Sequence, residues 1–296
     1  MQFKNKHRQW HRVTFAIFLV ALMQNAAPAV DEAKPPSQEY LDKITERGKQ
    51  LFIYDEGAAR CTDAVMKLKK VVPNLAENLA KNYQFYLGKK EGDRIKFAFG
   101  KLSPDENNYL TFVEPIFDPV TKNVILRGKA DEKLPTSKLE IDNDYLPLAR
   151  ALKNSIQKLK VGGSNYNYAV LPADNGEHFV YFYPGSSETG LYLLGADMRF
   201  RVSADGKQIL ETRRMHKSIL PYPRPGVPEG QIPVASFHTA ITNDEPEDTD
   251  VMHVLMRSPK MPEYVGTKNQ MYLISVDGTI KSVDKDKFLK QPDKGQ

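Results

Sequence analysis

The chain has 296 residues, of which 41% are hydrophobic, 27% charged and 10% aromatic. This composition excludes collagen-like, disulfide-scaffold and wholly disordered classes and allows one large domain or two small ones. A formal charge of +5 invites an anionic partner such as nucleic acid, and a single cysteine excludes an internal disulfide.

Residues 1–14 carry Lys4, Lys6, Arg8 and Arg12 with no acidic residue, and residues 15–23 are uniformly apolar. Ala27-Pro28-Ala29 then places small residues where a signal peptidase reads, so residues 1–29 are expected to be a cleaved secretory signal. A nine-residue apolar run is too short for a membrane anchor, which needs about 20 residues, and no other stretch approaches that length. The expected mature protein is exported, periplasmic or secreted, and has no membrane span.

Ser37 is placed to cap a first helix. Leu41, Ile44, Gly48 and Leu51 recur at helical spacing, and Ala64, Val65, Leu68, Val71 and Val72 form a second periodic stretch that Pro73 interrupts. Leu75, Leu79 and Phe85 continue an apolar face. Cys61 falls within a helix and reads as a buried, inert thiol. From Arg94 the period shortens to two, and the runs 94–100, 109–117 and 123–126 predict an antiparallel meander joined by turns rich in Asp, Asn and Pro.

Tyr145, Leu148, Leu152, Ile156 and Leu159 mark a further helix, and Gly162-Gly163 after it is the expected domain boundary. The domains are thus read as 30–161, helical with a β-meander, and 162–283, with a charged tail at 284–296. In the second domain a strand is expected at 178–183, a loop at 184–190 and a hairpin from 198–202 and 208–212. The prolines of 219–233 predict an extended connection. Then follow a strand at 234–241, an acidic loop at 243–248, a helix at 250–257, and short strands around Tyr264-Val265 and 271–276. The fold class is therefore α+β, with a C-terminal mixed sheet and one helix.

Four histidines lie beyond residue 29: His178, His216, His238 and His253. His238 ends a strand, and Asp250 and His253 are three apart at a helix start, so both can face one side. His238, Asp250 and His253 are the candidate metal ligands, zinc being the ion that suits such donors, with Glu247 or its neighbour Glu245 as base. A second reading stays open, because Asp248, Thr249 and Asp250 are also what a helix N-terminus selects. The basic run 213–217 supplies a candidate anion-binding set of Arg213, Arg214 and Lys217; a solvated strand edge is its alternative. Tyr166, Tyr168, Tyr181, Tyr183 and Tyr192 read either as an aromatic platform or as half-buried strand residues.

Phe237-His238-Thr239-Ala240, Pro246-Glu247-Asp248-Thr249-Asp250-Val251, Pro262-Glu263-Tyr264-Val265 and 272–278 together resemble the C-terminal half of JAB/MPN-type domains, over about residues 234–280. The metalloproteases of that family use a His-x-His pair, a Ser-x-x-Asp and a distant Glu. His238 matches the first His and Asp250 the Asp. Ala240 stands in place of the second His and Glu247 in place of the Ser; Glu177 and Glu211 are candidates for the distant Glu. The resemblance implies a catalytically degenerate JAB-like domain with a binding or structural role in the cell envelope, its partner an envelope protein or peptide. The alternative is a zinc-dependent peptidase or isopeptidase in which His253 replaces the lost ligand. Without residues 1–29 the chain has 38 basic and 37 acidic residues, a net of +1, so the basic excess belongs to the export signal and no nucleic-acid partner is expected.

Overall fold

The computed structural model describes residues 35–68, 75–126, 139–159, 165–186, 188, 190–222 and 235–285. The expected signal at 1–29, the glycine pair 162–163, most of the proline-rich connection and the tail from 286 lie outside the described residues.

Helix α1 (Gln38–Leu68) is continuous where two stretches were expected. Ser37 caps it, its hydroxyl oxygen accepting the Tyr40 N–H at 3.3 Å. Leu41, Ile44, Gly48, Leu51, Tyr54, Ala58, Cys61 and Val65 form one unbroken buried stripe, which holds together a helix of roughly 45 Å at 1.5 Å per residue. Cys61 is fully buried, and burial pushes its thiol up to about 12, so it is no nucleophile at neutral pH.

After α2 (Leu75–Asn82) come β1 (Phe85–Glu91), β2 (Arg94–Leu102), β3 (Tyr109–Val113), β4 (Pro115–Phe117), β5 (Val124–Leu126) and β6 (Glu140–Ile141). They form one antiparallel sheet in the order β5-β4-β2-β3-β6, with β1 on β2. Phe85 thus begins a strand and does not extend the helical face: its register partner is Gly100, and seven residue pairs tie β1 to β2. Helix α3 (Leu146–Lys158) leads to β7 (Tyr166–Pro172), β8 (His178–Pro184), β9 (Tyr192–Gly195), β10 (Met198–Val202), β11 (Ile209–Arg214) and β12 (Ile219–Tyr222). A second antiparallel sheet runs β11-β10-β8-β7, and β9 pairs with β12 alone. Residues 219–222 are therefore a strand despite Pro221, which is tolerated in a ribbon only two strands wide.

The last sheet is mixed, β13 (Ser236–Thr239), β14 (Glu263–Gly266), β15 (Met271–Ile274) and β16 (Ile280–Val283), with β13 parallel to β14. Helix α4 (Asp248–Met256) is the crossover between that parallel pair. The fold is α+β. No helix among the described residues is long and apolar enough to cross a membrane. Residues on both sides of the glycine pair share one core, in which Leu51, Tyr54, Phe97 and Phe117 pack with Ala169, Tyr181 and Met252.

Two glycines let α1 approach its neighbours. A Cβ on Gly48 would stand 2.5 Å from Val251 Cβ and 2.6 Å from the Asp248 carbonyl oxygen, so α4 rests directly on the α1 backbone. Helix propensity favours alanine over glycine by about 1 kcal/mol, but overpacking costs about 1–3 kcal/mol. Gly48→Ala is therefore expected to lower the chemical-denaturation midpoint, and an unchanged midpoint would refute the close packing of α4 on α1.

Candidate metal centre

The start of α4 carries three buried polar residues with three destinations. Asp248 accepts Arg47 of α1 at 2.9 Å, Arg199 of β10 at 2.6 Å and the Tyr181 hydroxyl at 2.9 Å. Thr249 donates its hydroxyl to Asp197. Asp250 accepts the Glu247 N–H on Oδ2 at 2.8 Å, while Glu247 caps the helix from the other direction, a reciprocal capping box. The remaining oxygen of Asp250, Oδ1, is fully buried and has no hydrogen-bond donor.

Two imidazoles meet that oxygen. His238 lies on β13 two residues beyond Ser236, the register partner of Glu263, so His238 and Glu263 share a face of the parallel pair. Glu263 accepts His238 Nδ1 at 2.6 Å. His216 follows β11, at the end of the ladder where Met198 faces Arg214; Asp197 accepts its Nδ1 at 2.8 Å. Each ring thus has its Nδ1–H held by a carboxylate, which turns Nε2 toward Asp250, the orientation in which a neutral ring would offer that nitrogen to a metal.

The Nε2 atoms of His216 and His238 lie 3.1 and 3.4 Å from Asp250 Oδ1. None of the three atoms is aligned for a hydrogen bond among the described residues, and all lie within 4.8 Å of one another. A tetrahedral zinc with bonds of about 2.0–2.1 Å separates its ligands by roughly 3.3 Å, which the two N···O distances bracket. Three buried polar atoms without an aligned hydrogen bond carry a heavy penalty unless charge or a cation joins them: protonated rings would ion-pair with Asp250 across these distances, and a divalent cation would satisfy all three. The carboxylates of Asp197 and Glu263 behind the rings complete the carboxylate–histidine arrangement common to metal sites.

In this metal-free geometry burial opposes charge on both rings, but Asp250 with Asp197 raises His216 well above its ordinary value, and Asp250 with Glu263 raises His238. Burial works against the Asp250 carboxylate too, yet His216 and His238 hold it below its usual range.

Of the expected ligands His238, Asp250 and His253, the structure brings His238 and Asp250 together and puts His216 beside them instead of His253. His253 sits a turn further along α4, and its Nδ1 accepts Arg257 Nε at 3.0 Å. Burial and Arg257 lower its pKa, Glu263 acting against them, so it stays a neutral ring. It borders a separate cavity of about 220 Å³. Arg257 also binds Glu263, linking His253 to the centre at one remove. Glu247 is buried and bonded through Arg213 Nε at 3.0 Å and Nη2 at 2.7 Å, and by Asn243. Burial pushes its carboxyl up to about 8 against the pull of Arg213. As helix cap and partner of Arg213 it has no acceptor left for a base's work, and Glu245 likewise accepts Arg213, at 2.8 Å.

Arg213 is thereby held by Glu245 and Glu247, whereas among the described residues the Arg214 side chain donates only to the carbonyls of His216 and Lys217. Ala240 is buried in the same apolar cluster as Val251 and Val265. Glu177 pairs with Arg201, and Glu211 with Arg199 and Arg201. Tyr181 and Tyr183 are core residues bonded to Asp248 and Asp55, and Tyr168 stacks on Tyr86, so they form no open platform.

His216 and His238 form part of the wall of a cavity of about 630 Å³ that also reaches Leu194, Lys217, Leu220, Phe237 and Ile241, a volume suited to a small organic ligand. Asp250→Asn is expected to keep the cap to Glu247 while weakening metal uptake by about 10²-fold; full retention in a metal titration would exclude Oδ1 as a ligand. Compared with protein-family models and with curated proteins, the chain matches none.

Proposed function

We propose that the protein is a zinc-dependent hydrolase of the cell envelope whose metal ligands are His216, His238 and Asp250. The observation that carries this is the convergence of three orphaned buried donor atoms, with both imidazoles braced by carboxylates. From the JAB/MPN resemblance the reading keeps the pairing of His238 at a strand end with Asp250 at the next helix start, and it exchanges His253 for His216. Export is supported by the basic residues and apolar run of 1–23.

A zinc ion held there supplies Lewis acidity and brings the pKa of a coordinated water toward ~7. The chain's own residues do the rest. Asp197 and Glu263 fix the imidazole tautomers, Thr249 fixes Asp197, and Arg257 fixes Glu263. Helix α4 holds Asp250 rigid through its cap, and the adjoining cavity gives substrate its approach. Three protein ligands leave one tetrahedral position open, which favours catalysis over a purely structural metal.

The test is elemental analysis of the purified protein together with hydrolysis of p-nitrophenyl acetate and octanoate before and after chelation. About one equivalent of zinc, and activity that falls on chelation and returns with zinc, is the expected result. A content below about a tenth of an equivalent after zinc exposure and desalting would overturn the metal reading, and a loaded but inactive protein would return the site to a binding role.

A further inference from the structure

The segment that carries His216 also carries two cations, Arg214 and Lys217, that have no carboxylate partner among the described residues. Arg213 is locked to Glu245 and Glu247. Arg214, by contrast, reaches only the carbonyl oxygens of His216 at 3.4 Å and Lys217 at 3.2 Å, and among the described residues neither it nor Lys217 is within ion-pair distance of an acid. Lys217 lines the same cavity as His216 and His238, and no carboxylate lines it among the described residues. Two acids of the centre, Asp197 and Glu263, lie on the far side of the imidazoles, against Nδ1, while the third, Asp250, faces both Nε2 atoms and is fully buried. Lys217 is therefore the one Lys, Arg, Asp or Glu side chain in the lining among the described residues, and it is positive.

The rest of that wall is apolar. Leu194, Leu220 and Pro221 line it, and Phe237 and Ile241, which are 41% and 69% exposed, stand in the same lining. Ile219, 38% exposed, adjoins them in sequence. Large exposed apolar side chains gathered at one cavity mark a binding surface, whereas scattered ones do not. The two halves of the lining together describe one kind of molecule.

We infer that this cavity takes an apolar anion, whose aliphatic or aromatic body lies on Leu220, Phe237 and Ile241 and whose negative group is met by Lys217 beside the metal centre. The inference names the substrate class of the hydrolase proposed above and rests on that reading only for the claim that the bound molecule is turned over. A carboxylate and a phosphonate or phosphate share the required chemistry.

The experiment is calorimetric titration of the zinc-exposed full chain with octanoate, octylphosphonate, octanamide and acetate, with zinc measured on every sample. At least one eight-carbon anion is expected to bind about tenfold more tightly than octanamide, which lacks the charge, and than acetate, which lacks the apolar body. The tighter of the two anions identifies the headgroup. Lys217→Gln is expected to weaken that anion by roughly three- to tenfold at unchanged zinc content, Lys217→Glu by more, and Lys217→Arg by little. Octanamide binding as well as the anions, or Lys217→Gln binding them like wild type, would overturn the inference. A chain without zinc that still discriminates in this way would sink the metal reading and leave the anion site standing.

Discussion

His216→Ala is expected to empty the metal centre, whereas His253→Ala should leave it loaded. Structural zinc in zinc-finger peptides binds with about 10–16 kcal/mol at pH 7, shared among its ligands, and on that scale losing one of three protein ligands weakens affinity by on the order of 10²–10³-fold. His216 Nε2 lies 3.1 Å from Asp250 Oδ1 and is otherwise unpartnered among the described residues, so its removal would take away a direct ligand of the proposed zinc. It also strips Asp197 of its imidazole, leaving a buried carboxylate with Thr249 alone. His253 acts through Arg257 and Glu263, and truncating it removes a support of a support. A second-sphere loss of about tenfold or less is expected there. Competition titration against a chromophoric chelator reads both variants. Equal loss in the two would restore His253 as a ligand, and equal retention would remove His216.

That contrast also shows what the sequence could and could not carry. His238 and Asp250 were visible because a strand end and a helix start are local features, read from an apolar run followed by Glu247-Asp248-Thr249-Asp250. His253 was chosen because helical spacing puts it on the face of Asp250, but the ring leans to Arg257 one turn on, a choice made by packing rather than period. His216 is not legible as a ligand, since it lies 34 residues before Asp250 in sequence and meets the site only in the folded chain, where its ring stands 5.6 Å from that of His238. One signal was present: the run 213–217 interrupts a strand with a histidine between cations, and it was read for its charge alone. The same limit governs the fold. The α1 stripe and the strands β2, β3 and β5 follow from periodicity, but the expected meander does not form, because β4 pairs with β2 and β5 and not with β3; β12 needed a tertiary partner, β9, to overrule its prolines.

Zinc uptake is expected to release close to two protons. The buried groups in contact at the centre are the carboxylates of Asp197, Asp250 and Glu263, the guanidinium of Arg257, and the two imidazoles. Three negative charges face one fixed positive charge, and a buried imbalance of two is prohibitively costly. Two imidazoliums cancel it in the metal-free protein, as the raised pKa values of His216 and His238 reflect. One divalent cation with two neutral rings cancels it equally well. Burial disfavours the ionised forms of Asp250 and Glu263, but the surrounding cations hold both carboxyls below their usual range, so above about pH 5 the exchange falls on the imidazoles.

Because their folded-state pKa values are raised, the imidazoles stabilise the metal-free protein fully below the unfolded value of about 6.5, and that stability is lost as pH rises through the folded values. Zinc competes with the same protons, so its apparent affinity climbs by up to about 100-fold per pH unit until both rings are neutral. The rise in Tm on adding zinc should therefore be small near pH 5.5 and grow steadily toward pH 8.5. Calorimetry in buffers of different ionisation enthalpy counts the protons directly; a count below about one would mean that the metal-free rings are neutral and that the charge balance of the centre is struck by another group.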